Sequence, residues 1–132
     1  MDAAALDNEN LKSLSLVDVE DVLPRIGGDI DLAKELLDIS LTQLPLILKK
    51  LRVTLANSDD MASIFMQAHT MKGAASNISA LALCEVCSRV ETAAGYGDMS
   101  LVQALMPELE KTLEMTVEAI GKISLSWADM RI

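Results

Sequence analysis

The chain has 132 residues, 51% of them apolar and only 2% aromatic, so its core has to be built from Leu, Ile, Val, Ala and Met. That palette suits packed helices better than a β-sandwich, and six Gly and three Pro are too few to punctuate seven or eight strands. A formal net charge of −9 disfavours phosphate backbones and anionic lipid, so neither nucleic acid nor a membrane is an expected partner.

No apolar run approaches the ~18 residues of a membrane span. Met1 to Asn10 carries Asp2, Asp7 and Glu9 and no Lys or Arg, the wrong sign for a secretory signal. Cys84 and Cys87 are the only cysteines and make no disulfide framework. A cytoplasmic location is the expectation.

Residues 1–15 lack periodicity and are expected to form a mobile arm. Leu14, Leu16, Val17, Val19, Val22 and Leu23 give a short helix, stopped by Pro24 and the turn at Gly27-Gly28, which covers one end of the fold. Asp29 is the cap of a second helix with Ile30, Ala33, Leu36/Leu37, Leu41 and Leu44 on one side. Pro45 kinks it, and Leu48, Leu51 and Leu55 continue the stripe. Asn57 to Asp60 closes that helix and caps the next, which buries Met61, Ile64, Ala68, Met71 and Ala75. After a break at Asn77 to Ser79, Ser79 is the expected cap of a fourth helix with Leu83, Val86/Cys87, Val90 and Ala94 inward. Gly95-Tyr96-Gly97 ends it. Asp98 caps the last helix, with Val102, Leu105, Leu109, Leu113, Val117, Ile120 and Ile123 inward. Pro107 is either a kink or a first-turn residue of that helix. The predicted fold is all-α: an antiparallel four-helix bundle over residues 16–123 with a short additional N-terminal helix, and a tail over 124–132.

A di-metal site in a bundle needs inward carboxylates and Glu-x-x-His pairs. The chain has one His and no Glu three residues before it, and Glu20, Glu35, Glu85, Glu91, Glu108, Glu110, Glu114 and Glu118 read as solvated faces. No metal site is expected. Cys84-Glu85-Val86-Cys87 falls within a helix, whereas a redox pair needs a helix N-terminus to activate its thiol, so these cysteines read as core. No Gly-rich phosphate loop is present, and no hydrolase triad is visible.

His69 remains. It lies 100° round from Ala68, so it faces the edge of the bundle. An accessible imidazole is largely neutral at cytosolic pH and is then a nucleophile. Lys72 lies one turn on and puts an ammonium where an added phosphoryl group would carry its charge. Gly73 removes a side chain from the same face, and Ala62 and Ser76 keep that strip small. A mid-helix Gly costs ~1 kcal/mol against Ala, and access for a second protein is a sufficient reason for it. Phe65 and Met66 offer apolar surface on the preceding turn. Taken singly, a helical His beside a Lys is an ordinary surface pair, and Phe65 and Met66 are ordinary core edge. Their combination points to a site.

His69-Thr70-Met71-Lys72-Gly73, preceded by Ala68 and followed by small residues to Ser79-Ala80, resembles the histidine-containing phosphotransfer (HPt) domain family. The similarity runs over about residues 15–123. It takes in the Gly27-Gly28-Asp29 turn, the Asn57-to-Asp60 turn and the Leu-Cys-Glu-Val-Cys helix. The resemblance implies a bundle whose His69 accepts a phosphoryl group from a receiver-domain phospho-aspartate and passes it to another receiver. Lys72 would stabilise the phosphoryl charge, Gly73 would keep the approach open, and Ala62, Phe65, Met66 and Ser76 would form the docking surface. The implied partners are response-regulator receivers and a hybrid sensor histidine kinase. Mg²⁺ is expected on the receiver, with no intrinsic cofactor, no autonomous kinase activity and a monomeric state. Members commonly carry Gly ten residues after the His, where this chain has Ser79. Two other readings stay open: the phospho-accepting domain of a chemotaxis-type histidine kinase, and a non-catalytic bundle that binds partners.

Overall fold

Aspartates start most of the helices. In the computed structural model, which describes residues 14–129, the elements are α1 (Val19–Arg25), α2 (Ile30–Asn57), α3 (Met61–Asn77), α4 (Leu81–Gly95) and α5 (Met99–Asp129), with no strand among the described residues. The carboxylates of Asp18, Asp29, Asp60 and Asp98 accept from the backbone N–H three residues on, at 3.0–3.2 Å, which satisfies donors that a helix N-terminus leaves orphaned. The Ser63 hydroxyl also donates to Asp60 at 2.7 Å, and this bond together with the backbone bond holds the Asp60 carboxyl below the usual carboxylate range. The cap of α3 therefore stabilises the fold above that range and is lost as pH falls through it.

Helices α2 to α5 form the four-helix bundle. α2 packs on α3 and α5, and α4 packs on α3 and α5, so each long helix has two neighbours and one solvent face. Leu44, Leu51, Ile64, Met71, Leu83, Val86, Val90, Val102, Leu109 and Ile120 are fully buried, and each such side chain contributes about 1.5–3 kcal/mol over its exposed state. Ser40 and Thr116 are buried within long helices but donate to the carbonyls of Leu36 and Thr112 at 2.8 and 2.7 Å.

Helix boundaries differ from the sequence reading near both ends of the described residues. Pro24 does not stop α1, which runs through it to Arg25. In the last turn of a short helix a proline forfeits a single ladder bond, and the chain turns only at Gly27, whose φ is +69°. Pro45 lies inside a continuous helix, as the stripe on either side of it predicts, and so does Pro107, which is more than two turns from the start of α5 and so is not a first-turn residue. The last helix passes Ile123 and continues to Asp129, with Ile123 and Trp127 packed against the core. Most of the expected N-terminal arm lies outside the described residues. Its last two residues are held: Leu14 packs on the core, and the Ser15 carbonyl accepts from Ala82 N–H at 3.1 Å.

Ser79 is a correction. It does not cap α4, whose N-cap is Ala80 with no side-chain bond. It ends α3 instead: the Ser79 N–H bonds to Ser76 C=O at 3.1 Å and the Ala80 N–H to Ala75 C=O at 2.9 Å, the paired bonds of a Schellman turn, which needs a left-handed residue between them. Ser79 is that residue, at φ +50°, and the one non-glycine with positive φ among the described residues. Its buried hydroxyl donates to Asp21 at 2.5 Å and accepts from Arg25 Nη2 at 2.6 Å, while its carbonyl accepts from Asp18 N–H at 3.1 Å. These bonds fasten α1 to the α3–α4 turn and offset the backbone strain. Ser79→Ala keeps the strain and loses both side-chain bonds, whereas Ser79→Gly loses the bonds but relieves the strain. Denaturant unfolding should therefore find Ser79→Ala less stable than Ser79→Gly by about 1 kcal/mol. The reverse order would mean that the turn is not strained.

Candidate functional site

Residues 62, 65/66, 69, 72/73 and 76 recur at three- and four-residue spacing along α3 and so share one face. All seven predicted site residues lie there: Ala62, Met66, His69, Gly73 and Ser76 are exposed, and Phe65 and Lys72 are half-buried. The opposite face carries Ile64, Ala68, Met71 and Ala75 into the core, which fixes the rotation of the helix and leaves His69 outward, its side chain 58% exposed. The Phe65 ring lies parallel to the imidazole within 3°, centroids 6.3 Å apart. Phe65 also reaches the C-terminal end of α4, where a Cβ on Gly95 would stand 3.6 Å from its ring. A Cβ added at Gly73 would meet no atom within 4 Å beyond its chain neighbours and the backbone of its own helix. Packing within the protein therefore does not require glycine at this position.

One neighbour of His69 was missed. Glu91 on α4, read as part of a solvated face, is only 17% exposed, and its Oε2 stands 3.4 Å from both His69 Nδ1 and Lys72 Nζ. A carboxylate there orients the ring: it accepts from an Nδ1–H, which leaves the Nε2 lone pair pointing to solvent. It also holds the Lys72 ammonium beside the imidazole. Glu91 could have been found from the hairpin, since His69 and Glu91 each lie eleven residues from Ala80 in the turn between α3 and α4 and so come opposite one another when the two helices pack antiparallel.

The remaining predicted residues divide in two. Ala62, Phe65 and Met66 line an open, mainly apolar groove with Met61 and the Gly95-Tyr96-Gly97 end of α4, which the sequence reading did not include. Tyr96 is 86% exposed, held out by the turn in which Gly97 takes φ +72° and Asp98 N–H bonds back to Ala93 C=O. Ser76, two turns beyond His69, lies toward the other end: its hydroxyl is 3.4 Å from Cys84 Sγ and its carbonyl accepts from Arg25 at 3.2 Å. Cys84 and Cys87 are free thiols within α4, and burial pushes the Cys87 thiol well above its ordinary range.

An outward, oriented imidazole beside a half-buried ammonium is a nucleophile with a counter-charge for an anionic group. The sequence model of one family, described as the Hpt domain, matches residues 35–120, a span that contains the His69 face. The chain belongs to the Hpt domain family. As an Hpt domain it is a histidine phosphotransfer module of two-component phosphorelay signalling. Among solved structures it is similar to histidine-containing phosphotransfer protein B (HptB) from Pseudomonas aeruginosa PAO1, with a TM-score of 0.77 at 22% identity over 84% of this chain and 96% of that one, which supports the Hpt fold. No curated protein sequence matches. No helix among the described residues is long and apolar enough to cross a membrane.

Proposed function

We propose that His69 is the phosphoryl acceptor of this Hpt domain, taking the group from a receiver-domain phospho-aspartate and passing it to a second receiver. The observation that carries this reading is the shared Glu91 carboxylate, 3.4 Å from both the exposed imidazole and the Lys72 ammonium. In the forward step Nε2 attacks phosphorus, the N–P bond forms, and the P–O bond to the aspartate breaks with its electron pair returning to that carboxylate. The ring keeps its Nδ1 proton, and the positive charge it gains faces Glu91. Lys72 turns from Glu91 toward the incoming phosphoryl oxygens, where charge stabilisation is the main demand of this chemistry. The return step is the same sequence reversed on a second receiver.

Ala62, Phe65, Met66 and the groove toward Tyr96 seat the receiver on one side of His69, with Ser76 at the far margin and Gly73 leaving the acyl phosphate a path between. The domain carries no cofactor of its own in this scheme. Mg²⁺ arrives with the receiver, the first donor is a hybrid sensor histidine kinase, and the exchange takes place in the cytoplasm.

Transfer of label from a panel of phosphorylated receivers with Mg²⁺ tests the reading. Lys72→Ala should accept label about tenfold more slowly, the equivalent of roughly 1.4 kcal/mol of transition-state stabilisation, with an unchanged far-ultraviolet helix spectrum. A slow variant that has also lost helicity would place Lys72 in the packing and not in the chemistry.

A further inference from the structure

The outer face of α2 carries Leu32, Ile39, Leu46 and Val53, each seven residues after the last and each 38–54% exposed. Solvent-facing positions of a helix ordinarily carry polar residues. A strict heptad row drifts by only ~20° per repeat around an α-helix, so these four side chains form one continuous ridge that a second helix can follow. Its flank is charged in a directional way. Glu35, Thr42 and Lys49 stand three residues after successive members of the ridge, and among the described residues neither Glu35 nor Lys49 makes an ion pair within the chain. More broadly, the first half of α2 holds Asp31, Glu35 and Asp38 with Lys34, while the second half holds Lys49, Lys50 and Arg52. Arg52 is already bound to Glu110 of α5 at 2.9 Å.

We propose that this ridge is a homodimer interface in which two copies of the chain pair α2 against α2, antiparallel. In that orientation Leu32 meets Val53 of the other copy and Ile39 meets Leu46, with the two-fold axis beside Thr42. Glu35 of each copy then faces Lys49 of the other, so the pair forms twice. A parallel pairing would set Lys49 against Lys49 and Glu35 against Glu35. With one apolar row and no second one beside it, the association is of the small, transient class, unlike an obligate dimer. α2 packs on α3 and α5, whereas the His69–Glu91 contact spans α3 and α4, so the ridge and the imidazole occupy different sides of the bundle. The inference stands apart from the role given to His69 and departs from the monomer expected from sequence.

Sedimentation from about 10 µM to about 1 mM brackets interfaces of this size. The apparent mass should rise from 14.2 kDa toward twice that value. Carboxyl-to-amine coupling followed by peptide mass spectrometry should find an amide between Glu35 and Lys49. Within one chain these residues stand fourteen positions apart on a single helix, about 21 Å, too far for direct coupling, so that amide joins two chains. Ile39→Asp with Leu46→Asp, both at exposed positions, should abolish the mass increase and the amide at unchanged helicity. Glu35→Lys should weaken association at least about threefold, and adding Lys49→Glu should restore it. A chain that stays monomeric to about 1 mM overturns the proposal. So does a dimer that survives the aspartate pair, or a charge exchange that fails to restore association.

Discussion

A His69→Gln chain should fold as the wild type does and accept no phosphoryl label from any receiver. The side chain is 58% exposed, lies over the Phe65 ring and stands 3.4 Å from Glu91. Surface replacements of this kind shift stability by no more than about 0.5 kcal/mol. Glutamine fills similar space and can still hydrogen-bond, but its amide nitrogen has no free lone pair with which to attack phosphorus. The expected effect is therefore total on transfer and negligible on unfolding. Label that persists on the variant would remove His69 from the chemistry and with it the proposed roles of Lys72 and Glu91.

Gly73 should separate stability from function in the opposite sense. Beyond its chain neighbours and the backbone of its own helix, nothing stands within 4 Å of the Cβ that a substitution would add, and the position lies inside α3, so Gly73→Ala should stabilise the isolated domain by up to ~1 kcal/mol through helix propensity. Gly73→Leu should also fold, yet its side chain adds bulk one turn from the imidazole, in the space through which the proposed mechanism brings a receiver's acyl phosphate. Transfer should fall at least about a hundredfold, since small misplacements of reacting groups cost that much. A Gly73→Leu chain that unfolds more easily than wild type would show that the glycine serves packing. One that transfers at the normal rate would move the docking surface elsewhere.

Much of this was readable from residue order, for physical reasons. Apolar spacing of three and four fixed which face of α3 is buried, and once Ala68 and Met71 point inward His69 has to point outward. Asp29 and Asp98 were legible as caps because a carboxylate three residues ahead of an orphan N–H is a local interaction. What escaped depended on distant partners. Ser79 looked like a helix start because serine caps helices well. Its left-handed backbone is tolerated only because Asp21 and Arg25, more than fifty residues away, bind its hydroxyl. Glu91 was one acid among many until the antiparallel packing of α3 and α4 brought it beside Lys72. Pro24, read as a stop, costs little in the last turn of a helix that was ending in any case.

The central claim is that a phosphoryl group comes to rest on His69, and locating that group tests it most directly. Wild-type protein, labelled by a phosphorylated receiver with Mg²⁺, would be digested and its peptides weighed, with the lability of the label followed in acid and in base. The account predicts one phosphate on the peptide containing His69, lost in acid and kept in base, as a phosphoramidate behaves. An acid-stable label, or one on a peptide without His69, would contradict it.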